Sequence, residues 1–101
     1  MSTQTVIAAT TGAVVTQQPV QSDKDPYIFL SADNLAGAEE CDIYYRANNT
    51  WVVVADLTGT AVKLTASLPA IRLAGGPLYG VLKDATAGAC GVYWEPGTRS
   101  Y

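Results

Sequence analysis

Residues that break regular structure punctuate this chain at short and even intervals, and that spacing limits its fold more than any other feature. Turn signals recur about every eight to twelve residues, the mark of an antiparallel sandwich or barrel. They fall at Ala32-Asp33-Asn34 with Ala36-Gly37, Ala47-Asn48-Asn49-Thr50, Asp56 to Thr60, Gly75-Gly76-Pro77 and Asp84 to Gly88. No segment between them carries a helical apolar period. The expected fold is an all-β antiparallel β-sandwich of about seven or eight short strands, jelly-roll or immunoglobulin-like, with an extended N-terminal arm. Residues 1–26 are read as the arm and residues 27–101 as the sandwich domain.

The stretch Asp42 to Ala55 organises the rest. Two runs rich in β-branched and aromatic residues flank Ala47-Asn48-Asn49-Thr50, whose asparagines tolerate positive φ. This is a β-hairpin. On its first strand Ile43 and Tyr45 alternate with Asp42, Tyr44 and Arg46, so one face is drier than the other. On the second, Trp51 is assigned to the core. Val52-Val53-Val54 has no polar neighbour on either face, the pattern of a strand covered on both sides.

Other strands are expected over Tyr27–Ser31, Glu39–Arg46, Ala61–Thr65, Leu78–Lys83 and Ala89–Trp94. Leu68–Leu73 reads as an edge strand, because Pro69 cannot donate to a ladder. In the arm, Val6-Ile7-Ala8-Ala9 and Ala13-Val14-Val15-Thr16 form strands only against another surface. Two readings stand: a loose terminus, and an arm that lies on a neighbouring subunit. In the second, residues 1–22 are dispensable for folding and needed for binding.

The chain has 101 residues, enough for one domain with a core that needs neither metal nor disulfide. Its many Ala and Val residues and single Phe imply a thin core. Nine acidic residues outnumber six basic ones, and the basic ones are scattered singly. No patch follows a phosphate backbone, so nucleic-acid binding is not expected. A membrane helix is not expected, nor is a cleaved secretory signal, since Thr5, Thr10, Thr11 and Gly12 interrupt the apolar run.

The chain contains no histidine. That removes the Ser-His-Asp and Cys-His arrangements, the usual imidazole base and most catalytic zinc sites. Glu39, Glu40 and Asp42 cluster at a strand start, where neighbouring side chains point to opposite faces and do not make an acid-base pair. Asp33, Asp56 and Asp84 occupy turn positions that favour Asp for backbone reasons. Gly75-Gly76-Pro77 lacks the lysine and helix of a phosphate cradle. No catalytic residue, cofactor or metal is expected, and the chain is not read as an enzyme.

Cys41, Trp51 and Cys90 invite comparison with an immunoglobulin sandwich, whose cysteine pair packs on a tryptophan. The tyrosine expected two residues before the second cysteine is Gly88 here, and Tyr79 is a poor substitute. A disulfide and two buried free thiols both remain open. Tyr93, Trp94, Tyr101 and Tyr44 are candidates for an aromatic platform that stacks on sugars or on a partner.

The strand Ile-Phe-Leu-Ser, the run Ala36-Gly-Ala-Glu-Glu-Cys-Asp-Ile-Tyr-Tyr-Arg-Ala-Asn-Asn-Thr-Trp51, then Gly75-Gly-Pro-Leu-Tyr-Gly-Val-Leu-Lys83 and Thr86-Ala-Gly-Ala-Cys-Gly-Val-Tyr93 resemble small virion proteins of tailed bacteriophages. The resemblance covers residues 27 to 94 and is a texture of strands and turns. It implies a virion structural protein, a capsid decoration (cement) or head-fibre component, assembled in the host cytoplasm. Its partners would be the major capsid protein or another virion protein, and a second or third copy in a homo-oligomeric dimer or trimer. Val6, Ile7, Val14, Val15, Tyr44, Trp94 and Tyr101 are the residues expected to meet the partner. The alternatives are a carbohydrate-binding β-sandwich module and a tail, neck or baseplate component.

Overall fold

A computed structural model describes residues 3–97, which carry nine strands and no helix. These are β1 (Gln4–Thr10), β2 (Val14–Val20), β3 (Tyr27–Ala32), β4 (Glu40–Ala47), β5 (Thr50–Val53), β6 (Lys63–Thr65), β7 (Ala70–Ala74), β8 (Tyr79–Lys83) and β9 (Cys90–Gly97). They build two antiparallel sheets, β1-β9-β3-β7 and β2-β8-β4-β5, with β6 also paired to β4. The fold is an all-β sandwich.

The core forms where the inner faces of the sheets meet. Period-two alternation sends Ile28, Leu30 and Ala32 of β3 and Cys90 and Val92 of β9 inward from one sheet. Cys41 and Ile43 of β4, Leu64 of β6 and Tyr79 and Val81 of β8 meet them from the other. These side chains are mostly medium-sized aliphatics, which is the thin core that the composition implies. Tyr79 is buried, and its hydroxyl donates to the Ala74 carbonyl at 2.7 Å. It thus makes the backbone bond of a tyrosine corner, although its place relative to the second cysteine is not the immunoglobulin one.

The hairpin joining β4 to β5 turns on Asn48 and Asn49, both in the left-handed region at φ 52° and 62°. Asparagine tolerates that conformation and matches the twist of the flanking strands. Pro69 immediately precedes β7, an edge strand paired only with β3. Both features follow the sequence reading.

The N-terminal segment differs from it. Residues 4–20 lie on this chain's own sandwich: β1 pairs with β9 in one sheet and β2 with β8 in the other. Ile7 and Val20 are buried core residues. Register shifts within both pairings break the apolar alternation, so the sequence shows isolated short runs where the fold has two seven-residue strands.

Trp51 also differs. Its apolar flanks place it in the core by sequence, but β5 is a rim strand, and the indole lies across the outer face of the five-stranded sheet above Gly80. A Cβ on Gly80 would approach the ring to 2.9 Å. The Arg46 guanidinium covers the ring at 5.1 Å. On the opposite sheet Tyr93 covers Gly91 and Phe29 covers Gly97 in the same way. Each strand glycine is roofed by an aromatic side chain, which restores the packing that glycine lacks.

Candidate functional site

The open rim of the five-stranded sheet is the most unusual surface. β5 and β6 both pair with β4, β5 along Tyr44–Ala47 and β6 along Glu40–Asp42. Between them residues 54–62 leave the sheet as a small hairpin. Val54 keeps a bond to β4, its amide donating to the Ile43 carbonyl at 3.0 Å, and Val62 donates to the Val54 carbonyl at 2.8 Å. An Ala55 to Ala61 bridge closes the base.

One carboxylate fixes the tip. Asp56 Oδ1 accepts the Thr58 hydroxyl at 2.6 Å and the amides of Thr58 and Thr60 at 2.9 and 3.1 Å. The Asp56 amide donates to the Thr60 carbonyl and Gly59 turns through φ 86°. These bonds, the Thr58 hydroxyl first, hold the Asp56 carboxyl below its ordinary range. The result presents Leu57 to solvent in full.

Apolar surface continues from that tip. Val53 is 44% exposed, Val52 37% and Leu68 51%. A shallow pocket of about 170 Å³ lies between Tyr44, Val53, Ala61 and Val62, and a second depression runs from Val62 to Leu68. The run from Ala47 to Ala55 carries no charge. Lys63 lines both hollows and is held by Glu40 at 2.9 Å and Asp42 at 3.6 Å. The Glu40 hydrogen bond raises the Lys63 pKa, so its ammonium stays charged. An apolar centre with a polar flank is the anatomy of a protein contact.

The Val52-Val53-Val54 run, read from sequence as covered on both faces, is only partly covered by this chain: Val54 packs against the core, while Val52 and Val53 stay exposed. β5 sits at the rim, and among the described residues no strand pairs beyond it. The apolar pattern was legible; which neighbour satisfies it was not.

The sequence candidates do not form one site. Ile7 is in the core, and Val6 and Val14 pack against it from the side. Val15 is 81% exposed on β2, separated by strand β8 from Tyr44 on β4, which faces out beside Val53. Trp94 points inward and packs on the core, while Tyr93, one residue earlier, faces out over Gly91. They do not share a platform. Tyr101 lies outside the described residues. Sequence reasoning missed Leu57 and Leu68, and the signal for Leu57 was an aliphatic residue inside an otherwise polar turn.

Glu39, Asp33 and Asp84 serve the backbone. Glu39 accepts the amides of Ala87 and Ala36, both at 2.9 Å, and these lower its pKa. Asp33 accepts from Gly91 at 2.7 Å and Asp84 from Glu40 at 3.0 Å. Among the described residues no group of three or more His, Cys, Asp or Glu is placed to hold a metal ion. Comparison with protein-family models, with curated proteins and with solved structures returns no match for this chain.

Proposed function

We propose that this chain is a non-catalytic structural module that docks on another protein through the β5–β6 rim and the hairpin of residues 54–62. The observation that carries the reading is the exposure of Val52 and Val53 on the rim strand together with the fully exposed Leu57 at the tip of the hairpin that follows it, a tip held by the Asp56 hydrogen bonds. A surface of that kind is buried in use. The particle proposed is a virion, on the likeness of residues 27 to 94 to small phage virion proteins, with the capsid surface as the docking partner. Many copies on a symmetric shell multiply weak single contacts, and a dimer or trimer of this chain would do so further.

Cosedimentation with capsids of the phage that encodes the chain tests the proposal. Wild-type protein should pellet saturably, and Leu57→Asp should weaken binding by roughly tenfold or more, as for the loss of a buried anchor. Protein that stays in the supernatant with every capsid preparation refutes the decoration role.

A further inference from the structure

Cys41 on β4 and Cys90 on β9 belong to opposite sheets, and solvent reaches neither. Strand register brings them to one end of the sandwich. Cys90 pairs with Thr10, the last residue of β1, and Cys41 pairs with Lys83 of β8. The chain crosses between the sheets at residues 11–13, directly after Thr10, and begins β2 with Val14, also paired with Lys83.

That crossing is clamped. Lys83 is 2% exposed, and its ammonium donates to Gly12 O at 2.9 Å, Asp84 O at 3.0 Å and Thr86 Oγ1 at 3.1 Å. Thr86 donates through its amide to Thr11 O at 3.0 Å. The two sheets are drawn together where the cysteines lie; the Cys90 thiol donates to the Gly91 carbonyl at 3.8 Å, and both cysteines are free thiols in this structure. The chain has no other cysteine.

We propose that Cys41 and Cys90 form an intramolecular disulfide that covalently joins the two sheets, with a small-molecule disulfide of the glutathione type as oxidant. One cysteine thiolate attacks the glutathione disulfide, whose sulfur-sulfur bond breaks, and one glutathione leaves as thiolate and takes up a proton. The second thiolate attacks the protein sulfur of the mixed disulfide and expels the other glutathione. Two protein thiols are oxidised and one glutathione disulfide is reduced to two thiols.

Burial sets when this happens. Desolvation pushes the Cys41 thiol up to about 12 and raises Cys90 as well. Lys83 opposes the rise at both, while Asp84 and Asp42 add to it at Cys41, and Asp33 and Glu39 at Cys90. The thiolate is the nucleophile, so the pair closes in the folding or transiently opened chain and is inert once sealed.

The test refolds the full chain from denaturant in a buffer of reduced and oxidised glutathione, then alkylates it under denaturing conditions. Intact mass should show a monomer lighter by two hydrogens and without alkyl groups, and a non-reducing peptide map should join Cys41 to Cys90. Protein already folded in its reduced form should oxidise on the order of a hundredfold more slowly in the same buffer. The oxidised protein should melt on the order of 15 °C higher than the reduced one. The proposal is overturned if both cysteines remain alkylatable after refolding in excess oxidised glutathione, if they carry only glutathione or link separate chains, or if the oxidised protein melts no higher. Equal oxidation rates for folded and refolding protein overturn the timing.

Discussion

At the scale of single residues, backbone contacts decide more than charge. A Cβ on Gly75 would run into the carbonyl oxygen of Asp25, at the place where the Gly75 amide donates to Pro26 O at 2.9 Å. Gly75→Ala should cost roughly 2–3 kcal/mol in urea denaturation, whereas at Gly88 the nearest atoms stand 3.7 Å from the added carbon. Gly88→Ala should stay within about 0.5 kcal/mol. Equal costs would contradict the collision at Gly75. Asp56 makes a pH-dependent contribution. Its folded pKa is depressed below the ordinary 3.8. The stability it gives is thus present above that value and lost as pH falls through the folded pKa. Hydrogen exchange at the Thr58 and Thr60 amides should quicken on acidification through that range, and at neutral pH in Asp56→Ala. Unchanged protection in the variant would mean that the carboxylate does not hold the tip. The sequence disclosed the Asn48-Asn49 turn through residue chemistry alone. It misplaced Trp51, because both faces of β5 are apolar and alternation cannot say which one looks inward.

Among the elements, β1 and β2 are where local reading fell short. Their partners β9 and β8 are distant in sequence, and the register shifts destroy the alternation that would have announced two strands. Removing residues 1–22 therefore strips an outer strand from each sheet along with Ile7 and Val20. Those two side chains alone represent roughly 3–6 kcal/mol of apolar burial, a large part of the 5–15 kcal/mol typical of a domain. The truncated protein should lose its cooperative thermal transition by circular dichroism. A truncated chain that melts like the intact one would restore the free-arm reading. β4, β5 and β7 were legible because their turn chemistry and Pro69 act locally. The edge position of β5 was not, since it depends on the absence of a strand that no local pattern encodes.

Over the whole molecule, the chain changes sheet at every connection except the β4-β5-β6 run. Such non-local pairing should make folding slow for this length, with a refolding time of milliseconds to seconds in stopped-flow fluorescence of Trp51 and Trp94. Microsecond folding would be inconsistent with this topology. The same wiring leaves the β5–β6 rim open while the opposite rim is occupied by the bulged β2, which carries Pro19. The most direct test of docking through the β5–β6 rim is capsid cosedimentation of three proteins with equal melting temperatures: wild type, Leu57→Asp and Val15→Lys. Wild type and Val15→Lys should bind alike and Leu57→Asp should lose roughly tenfold or more in affinity. Full binding by Leu57→Asp, or loss confined to Val15→Lys, would contradict it.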